Sequence, residues 1–597
     1  MRRIPFSATR PLDSDAMDTA NAHNDTIDKT ENLLEQEATG DEIASKLPEH
    51  EPATDDEAPA QPAEASSTPP TNGWTQRLST PAAGWVATAI ATLIATLIRL
   101  PGLGNVRTLI FDETYYVKDA WSLLTLGYEG TWAKDVDTPF ANGDTSGLSA
   151  VGGYPVHPPT GKWLIAMGMK FFGQADPVGW RIAAAICGVI TVFLLCRLAH
   201  NLFHSPAITL LAGLFLATDG MAIVMSRTSI LDGFLAMFAL AAFLCVVKDQ
   251  HMAQPKLSAK LATWDGLGEP RQGGHSAWAH LTMRDRRPFT IGPNAGNRPW
   301  LFAAGICAGL ACSVKWSGIY VLAFLGLFVA LREVTCRWRA GHPTPIRGAL
   351  LADVWWAFVL MVPTAILTYV ASWFGWFTHS AAHGHGRSGI AGFAGQLADL
   401  WLYHKEMWTF HNGLNTPHKY QSSPFTWLAQ VRATSFYWNN GEAMMGCRSG
   451  NCASDVVALG NPLLWWVGIG ALLLVILATF YYRNWRVGII TLGYIALYVP
   501  WLAYAHRTIF IFYTVAFAPF VALAVAWMIG LLAGWVTIDG SPVPAPDSRR
   551  AQLTGWVFAG LVTAAILGCA VYFMPLWRGD VIDYDFWRAH MWLQSWI

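Results

Sequence analysis

Charge is scarce in this sequence. Asp, Glu, Lys and Arg together make up 14% of its 597 residues, and the formal net charge is −1. So balanced a set, with no basic stripe along the chain, gives no electrostatic footprint for a nucleic-acid partner. Three signatures are also missing: a G-x-x-x-x-G-K-[ST] loop, a G-x-S-x-G elbow and a dinucleotide fingerprint at a strand-to-helix turn. Their absence argues against ATP-driven transport and against serine hydrolysis. Cysteine is limited to nine residues, seven of them in or beside apolar segments, where a thiol acts as a small apolar side chain.

Apolar residues fill the space that charge leaves. The chain is 53% hydrophobic and 13% aromatic, too apolar for an ordinary soluble enzyme. Long apolar runs cover 82–100, 179–203, 206–225, 231–248, 299–314, 317–332, 350–376, 462–482, 487–505, 508–534 and 553–575. Each is near the ~20 residues that span a bilayer core, so the expected fold is an all-α polytopic membrane protein with about eleven transmembrane helices. Lys and Arg concentrate on the cytoplasmic side of membrane proteins. With the N-terminus inside, the 249–298 loop with Lys256, Lys260, Arg271, Arg284 and Arg298 is cytoplasmic, as are Arg332, Arg337, Arg339, Arg347, Arg483, Arg486, Arg549 and Arg550. An odd number of spans then leaves the C-terminus outside, together with two large loops, 101–178 and 377–461.

Residues 1–73 are acidic, rich in Ala, Pro, Thr and Ser and poor in aromatics. Such a segment cannot bury enough surface to offset its ordering entropy, and it reads as a disordered cytoplasmic tail that solvates the chain. It has no signal-peptide core, so the first span is expected to act as an uncleaved targeting signal.

An adjacent carboxylate pair, Asp112-Glu113, lies just past the first span, at the outer membrane surface. Arg227, Lys315 and Arg507 separate spans on that same face, against the usual charge bias. Each alone could snorkel to lipid head groups. As a set facing one carboxylate pair they suit a phosphate-bearing ligand. Asp219 and Asp232 flank Ser226-Arg227-Thr228-Ser229 and read as supporting residues, one of them a partner for Arg227 that would hold the turn. His157-Pro158-Pro159-Thr160-Gly161-Lys162 precedes an aromatic stretch too short for a span; an interfacial or re-entrant helix is expected there, with His157 and Lys162 near a head group or serving the architecture alone. His404, His411 and His418 crowd the second outer loop with Trp427 and Trp438. Their H-x6-H-x6-H spacing shares no helical face and no carboxylate stands at a ligand position, so no metal site is expected; a groove for sugar and peptide suits them better. Cys447 and Cys452, spaced C-x4-C on the oxidising side, leave a local disulfide and a thiol pair both open, whereas zinc lacks a second ligand pair.

Several motifs in order carry a family resemblance: Phe111-Asp112-Glu113-Thr114-Tyr115-Tyr116-Val117-Lys118-Asp119, the HPPTGKW segment at 157–163, Ser226-Arg227 with Leu231-Asp232, and Tyr403-His404 through Pro424. Over about 80–597 the sequence resembles the actinobacterial-type protein O-mannosyltransferases, within the dolichyl-phosphate-mannose group of the GT-C glycosyltransferases. Two features depart from the pattern. Thr160 stands where an apolar residue is expected, and no soluble β-trefoil module is present, which leaves acceptor selection open. The resemblance implies a GT-C catalytic domain over 74–597 in the plasma membrane, with its active site on the extracytoplasmic face and no cofactor. It also implies a polyprenyl-phosphate-mannose donor and Ser/Thr acceptor proteins, met in the company of the secretion machinery.

Phosphate chemistry fits the residues. A glycosidase protonates an alkoxide leaving group with a second carboxylate, whereas phosphate departs as a stable anion, so one base suffices. Asp112 is the expected base and Glu113 a positioning group for acceptor or sugar. Arg227, with Lys315 and Arg507, would meet the departing charge. The competing readings are a GT-C transferase acting on a glycan or lipid acceptor, and a polyprenyl-linked sugar transporter; no internal repeat or matched broken helices support the latter.

Overall fold

In a computed structural model, the described residues are 81–154, 156–267, 291–441, 446–447, 450–541, 543 and 549–597. The expected acidic tail, 1–73, lies outside them. Eight described helices are long and apolar enough to cross a membrane, and a bent pair, Pro206–Ala217 and Gly220–Arg227, makes up to nine. The chain is a multi-pass membrane protein. The eleven apolar segments of the sequence fall on these eight helices, on the bent pair and on two shorter apolar helices, Pro299–Val314 and Ala518–Leu532. The segment 508–534 is not one helix: Ile511–Ala516 forms a 3-10 turn, and the α-helix starts at Ala518, with Pro519 in its first turn.

Local sequence sets the helix starts. Asp176, Ser205 and Asn461 each precede a proline that opens an apolar helix, and each side chain accepts a backbone N–H of the first turn. The 57° bend between the paired helices comes at Thr218-Asp219, where Asp219 accepts Ala222 N at 3.1 Å and starts the second helix afresh. Helix ends are closed in reciprocal fashion. Arg99 donates to the carbonyls of Leu216 and Ala217, the C-terminus of the helix before the bend. Arg227 donates to the carbonyls of Ile98, Arg99, Pro101 and Gly102, where the first helix, Pro81–Arg99, ends. Both satisfy carbonyls that a helix C-terminus leaves without partners.

Three helices outside the spans build the site: α1 (Glu113–Leu126), α2 (Thr160–Phe172) and α3 (Gly392–Gly413). The segment after His157 does form a helix, α2, which exposes Met167, Phe171 and Phe172 while burying Ile165 and Met169. Gly168 lies so close to Gly179 that a Cβ there would stand 2.3 Å from its carbonyl oxygen. The all-α expectation needs one correction: two small antiparallel sheets sit outside the membrane-spanning helices. One pairs β1 (Gly130–Trp132) with β2 (Leu148–Gly152); the other orders β3 (Thr434–Gly441), β4 (Cys452–Ala458) and β5 (Ile582–Asp583) side by side. These strands are short and β4 is wholly buried, so no alternation of polar and apolar residues marks it. Cys447 and Cys452 form a disulfide in the β3–β4 connection.

Candidate active site

The approach to Asp112 is strained. Phe111 has φ +50, a left-handed conformation that costs a bulky residue about 1–3 kcal/mol. Its ring is held by Phe436 at 4.6 Å and, edge-on, by Phe510, Phe512 and His418. That cage fixes the turn from which α1 departs, with Asp112 at its N-cap.

Each face of α1 has a separate role. Thr114 and Lys118 are tied to Asp137 at 2.5 and 2.6 Å. Glu113, Val117 and Ala120 point into the core and are fully buried. Asp112, Tyr115, Tyr116 and Asp119 line a cavity of about 980 Å³. Such spacing, i, i+3, i+4 and i+7, is one helical face.

Opposite α1, the cavity is closed by Lys315 and Trp316 at the junction of two apolar helices, by His404, Trp408 and His411 on α3, and by Arg507 and Tyr513. Part of its wall is apolar, with Ile319, Leu322, Ala365, Ile366 and Pro500. Among the described residues, no hydrogen bond or ion pair engages the Asp112 carboxylate. Burial pushes its pKa up to about 6, with Lys315 opposing that shift and Asp232 adding to it. Lys315 sits 2.7 Å from Asp232 and 4.8 Å from the Tyr513 ring centre. Arg507 has no carboxylate partner among the described residues, and its Nε is buried with nothing to donate to.

The cavity histidines are neutral donors and acceptors. Burial, reinforced by Lys315 and His411, lowers the pKa of His157, and burial with Arg507 and Lys315 brings His411 to about 4 despite its bond to Val156. Their rings stack at 4.9 Å. His411 Nε2 donates to the Val156 carbonyl at 2.6 Å. His404 Nδ1 donates to the Leu400 carbonyl at 2.6 Å, so its Nε2 accepts from Tyr369 Oη at 2.5 Å, and Tyr369 in turn accepts Trp316 Nε1 at 2.9 Å.

The structure sorts the expected site residues into two groups. Asp112, His157, Lys315, His404, His411 and Arg507 line the cavity. Five others do not. Glu113 is buried in a bidentate pair with Arg181, at 2.8 and 2.7 Å, and also accepts Ser229 N at 2.9 Å, so it anchors the fold and cannot position a substrate. Arg227 spends its guanidinium on the four carbonyls at the end of the first helix, which removes it from a phosphate site. It pairs with neither flanking aspartate: Asp219 accepts Asn461 N and Trp465 Nε1, and Asp232 takes Lys315. Asp232 itself lines a small adjoining void. Lys162 meets no head group, being fully buried between Asp119 at 3.1 Å and Glu129 at 3.4 Å. His418 packs on Phe111 and Phe510 behind the cavity wall.

Sequence reasoning missed Arg181, Asp119, Trp316, Tyr369 and Tyr513. Arg181, a cation near the start of an apolar helix, carried a signal, because ionisable groups at membrane depth need a partner. The aromatic residues carried none.

Two family descriptions match the chain: dolichyl-phosphate-mannose-protein mannosyltransferase over 89–266 and 285–377, and the C-terminal four-transmembrane region of protein O-mannosyltransferase over 396–596. The polyprenol-phosphate-mannose–protein mannosyltransferase of Mycolicibacterium smegmatis (strain MKD8) is 33% identical over 86% of this chain and 93% of its own length. The chain belongs to the protein O-mannosyltransferase family. Relatives of the same description from Mycobacterium tuberculosis and Corynebacterium glutamicum are each 29% identical, over 86% and 88% of the chain. The fold of this mannosyltransferase is similar to that of the S. cerevisiae Pmt1–Pmt2 protein O-mannosyltransferase complex bound to the sugar donor, with TM-score 0.62 and 14% identity over 88% of this chain and 94% of the yeast chain.

Proposed function

We propose that this protein O-mannosyltransferase moves one mannose from polyprenyl-phosphate-mannose to a Ser or Thr hydroxyl of a protein at the outer face of the plasma membrane, in a single inverting displacement. Asp112 is the base. The acceptor oxygen forms a bond to the anomeric carbon while the bond from that carbon to the phosphate oxygen breaks. The acceptor proton passes to Asp112 and the bonding electrons leave with polyprenyl phosphate. Arg507 and Lys315 meet the phosphate charge, and the apolar wall of Ile319, Leu322, Ile366 and Pro500 accommodates the first isoprene units.

One observation carries this reading: an unpartnered carboxylate and an unpartnered guanidinium share a single cavity with an apolar wall. A base held near pKa 6 is ionised at neutral pH and still basic enough to take a proton in the transition state. The orientation belongs to the same proposal, with eleven spans, the N-terminus in the cytoplasm and Asp112 outside. The deciding experiment measures transfer from labelled polyprenyl-phosphate-mannose to a Ser/Thr peptide by the full chain in proteoliposomes. Asp112→Asn is expected to lower kcat by about 10²–10⁴ with donor KM little changed; retained turnover sinks the base assignment. Membrane-impermeant labelling of a cysteine placed at Tyr115 tests the face.

A further inference from the structure

Asp119 is the second carboxylate in the cavity, and the transfer step does not use it. It stands on the same face of α1 as Asp112, seven residues further on, which is about 10 Å along a helix. That separation is the span of one hexose with a hydrogen bond at each end. The side chain is 22% exposed, and its Oδ2 lies 3.1 Å from Lys162 Nζ, whose own side chain is 1% exposed. Lys162 is gripped from its other side by Glu129 at 3.4 Å. Oδ1 of Asp119 has no partner among the described residues.

The arrangement is costly unless it serves a ligand. Two carboxylates share one buried ammonium; burial, together with Asp119, raises the pKa of Glu129. A lone carboxylate on Lys162 would have balanced the charge. Lys162 thus holds Oδ2 of Asp119 at the cavity wall, where a carboxylate can accept a hydrogen bond from a sugar hydroxyl.

We propose that Asp119, held in place by Lys162, accepts a hydrogen bond from a hydroxyl of the donor mannose far from its anomeric carbon and so selects the sugar that is transferred. This rests on the donor and base assigned above. Lys162 is a positioning residue, which gives the HPPTGK segment its purpose: α2 starts at Thr160 and carries Lys162 in its first turn beneath α1.

The test compares polyprenyl-phosphate-mannose with its 2-, 3-, 4- and 6-deoxy analogues as donors to one acceptor peptide, using the full chain in proteoliposomes. In the wild type, loss of the hydroxyl that meets Asp119 is expected to lower kcat/KM by about 10- to 100-fold. Asp119→Ala should lose a similar factor with mannose itself and then use that one analogue as well as mannose. Discrimination that is the same in variant and wild type for every analogue overturns the proposal. So does a variant whose only defect is a raised acceptor-peptide KM. If Asp119→Ala does not accumulate in membranes, Asp119→Asn keeps the volume, and the wild-type series still decides: a loss below about tenfold for every analogue overturns the assignment. Should the wild type fail to use polyprenyl-phosphate-mannose at all, the proposed function falls first and this inference with it.

Discussion

The carboxylate of Glu113 is clasped by the guanidinium of Arg181 at 2.8 and 2.7 Å, one residue from the free carboxylate of Asp112. Neighbours in sequence thus have opposite roles. Arg181 also donates to the carbonyls of Leu103, Val106 and Thr108, so the pair holds the whole approach to Asp112 in place. Glu113→Ala strands a buried guanidinium and is expected to destabilise the protein by about 3–5 kcal/mol. Thermal unfolding in detergent should show a clear drop. The double variant Glu113→Leu with Arg181→Met should recover much of that loss without recovering transfer, because the loop carbonyls stay undonated.

A parallel contrast separates two arginines that sequence alone treats as equals. Arg507→Ala removes a free cavity cation, so it should raise donor KM by about 10- to 100-fold and leave the melting temperature unchanged. Arg227→Ala instead strips donors from four carbonyls at the end of the first helix, and its signature should be a lowered melting temperature with donor KM close to wild type in the surviving protein. Reversal of the two phenotypes would return Arg227 to the phosphate site.

Much of the fold is written locally. Apolar length and a Ser, Asp or Asn before a proline depend on neighbours in the chain, and they locate the helices without knowledge of packing. Asp112 was legible for a similar reason, since a carboxylate pair just past a long apolar run stands out in twenty residues of sequence. The partners of Glu113 were not, because Arg181 and Ser229 lie 68 and 116 positions away. Arg227 shows the general limit. A cation near a helix end reads as a ligand group, but the carbonyls that claim it belong to a helix about 125–129 positions earlier. The strand β4 escaped notice because burial on both faces removed its alternation.

Metal dependence is testable on the same preparation. In the cavity, both ring nitrogens of His404 are committed, and His411 has given Nε2 to Val156. No group of three or more His, Cys, Asp or Glu among the described residues has the geometry to hold an ion. Proteoliposomes treated with EDTA and then freed of it should transfer mannose at the untreated rate, and restoration of a lost rate by one added divalent cation would contradict this.

The pKa of Asp112 gives a prediction whose sign can be worked out. Burial raises it from 3.8 to about 6, and only the ionised form accepts a proton, so kcat/KM should hold above pH 6 and fall about tenfold per unit below it. Asp232 helps to hold that value up, and Lys315, its ion-pair partner, pulls it down. Asp232→Asn deletes the anion and releases Lys315 from its pair; both changes favour the ionised form, so the acid limb should move to lower pH. Stability runs the other way from activity. A carboxyl whose folded pKa lies above its unfolded value costs the folded state stability above the folded pKa, and that cost disappears as pH falls below the unfolded one. Asp112→Asn removes the charge, so at pH 7.5 the inactive variant should melt no lower than wild type, and the difference between them should close at pH 4. A variant that is both inactive and markedly less stable at pH 7.5 would show that Asp112 supports the fold.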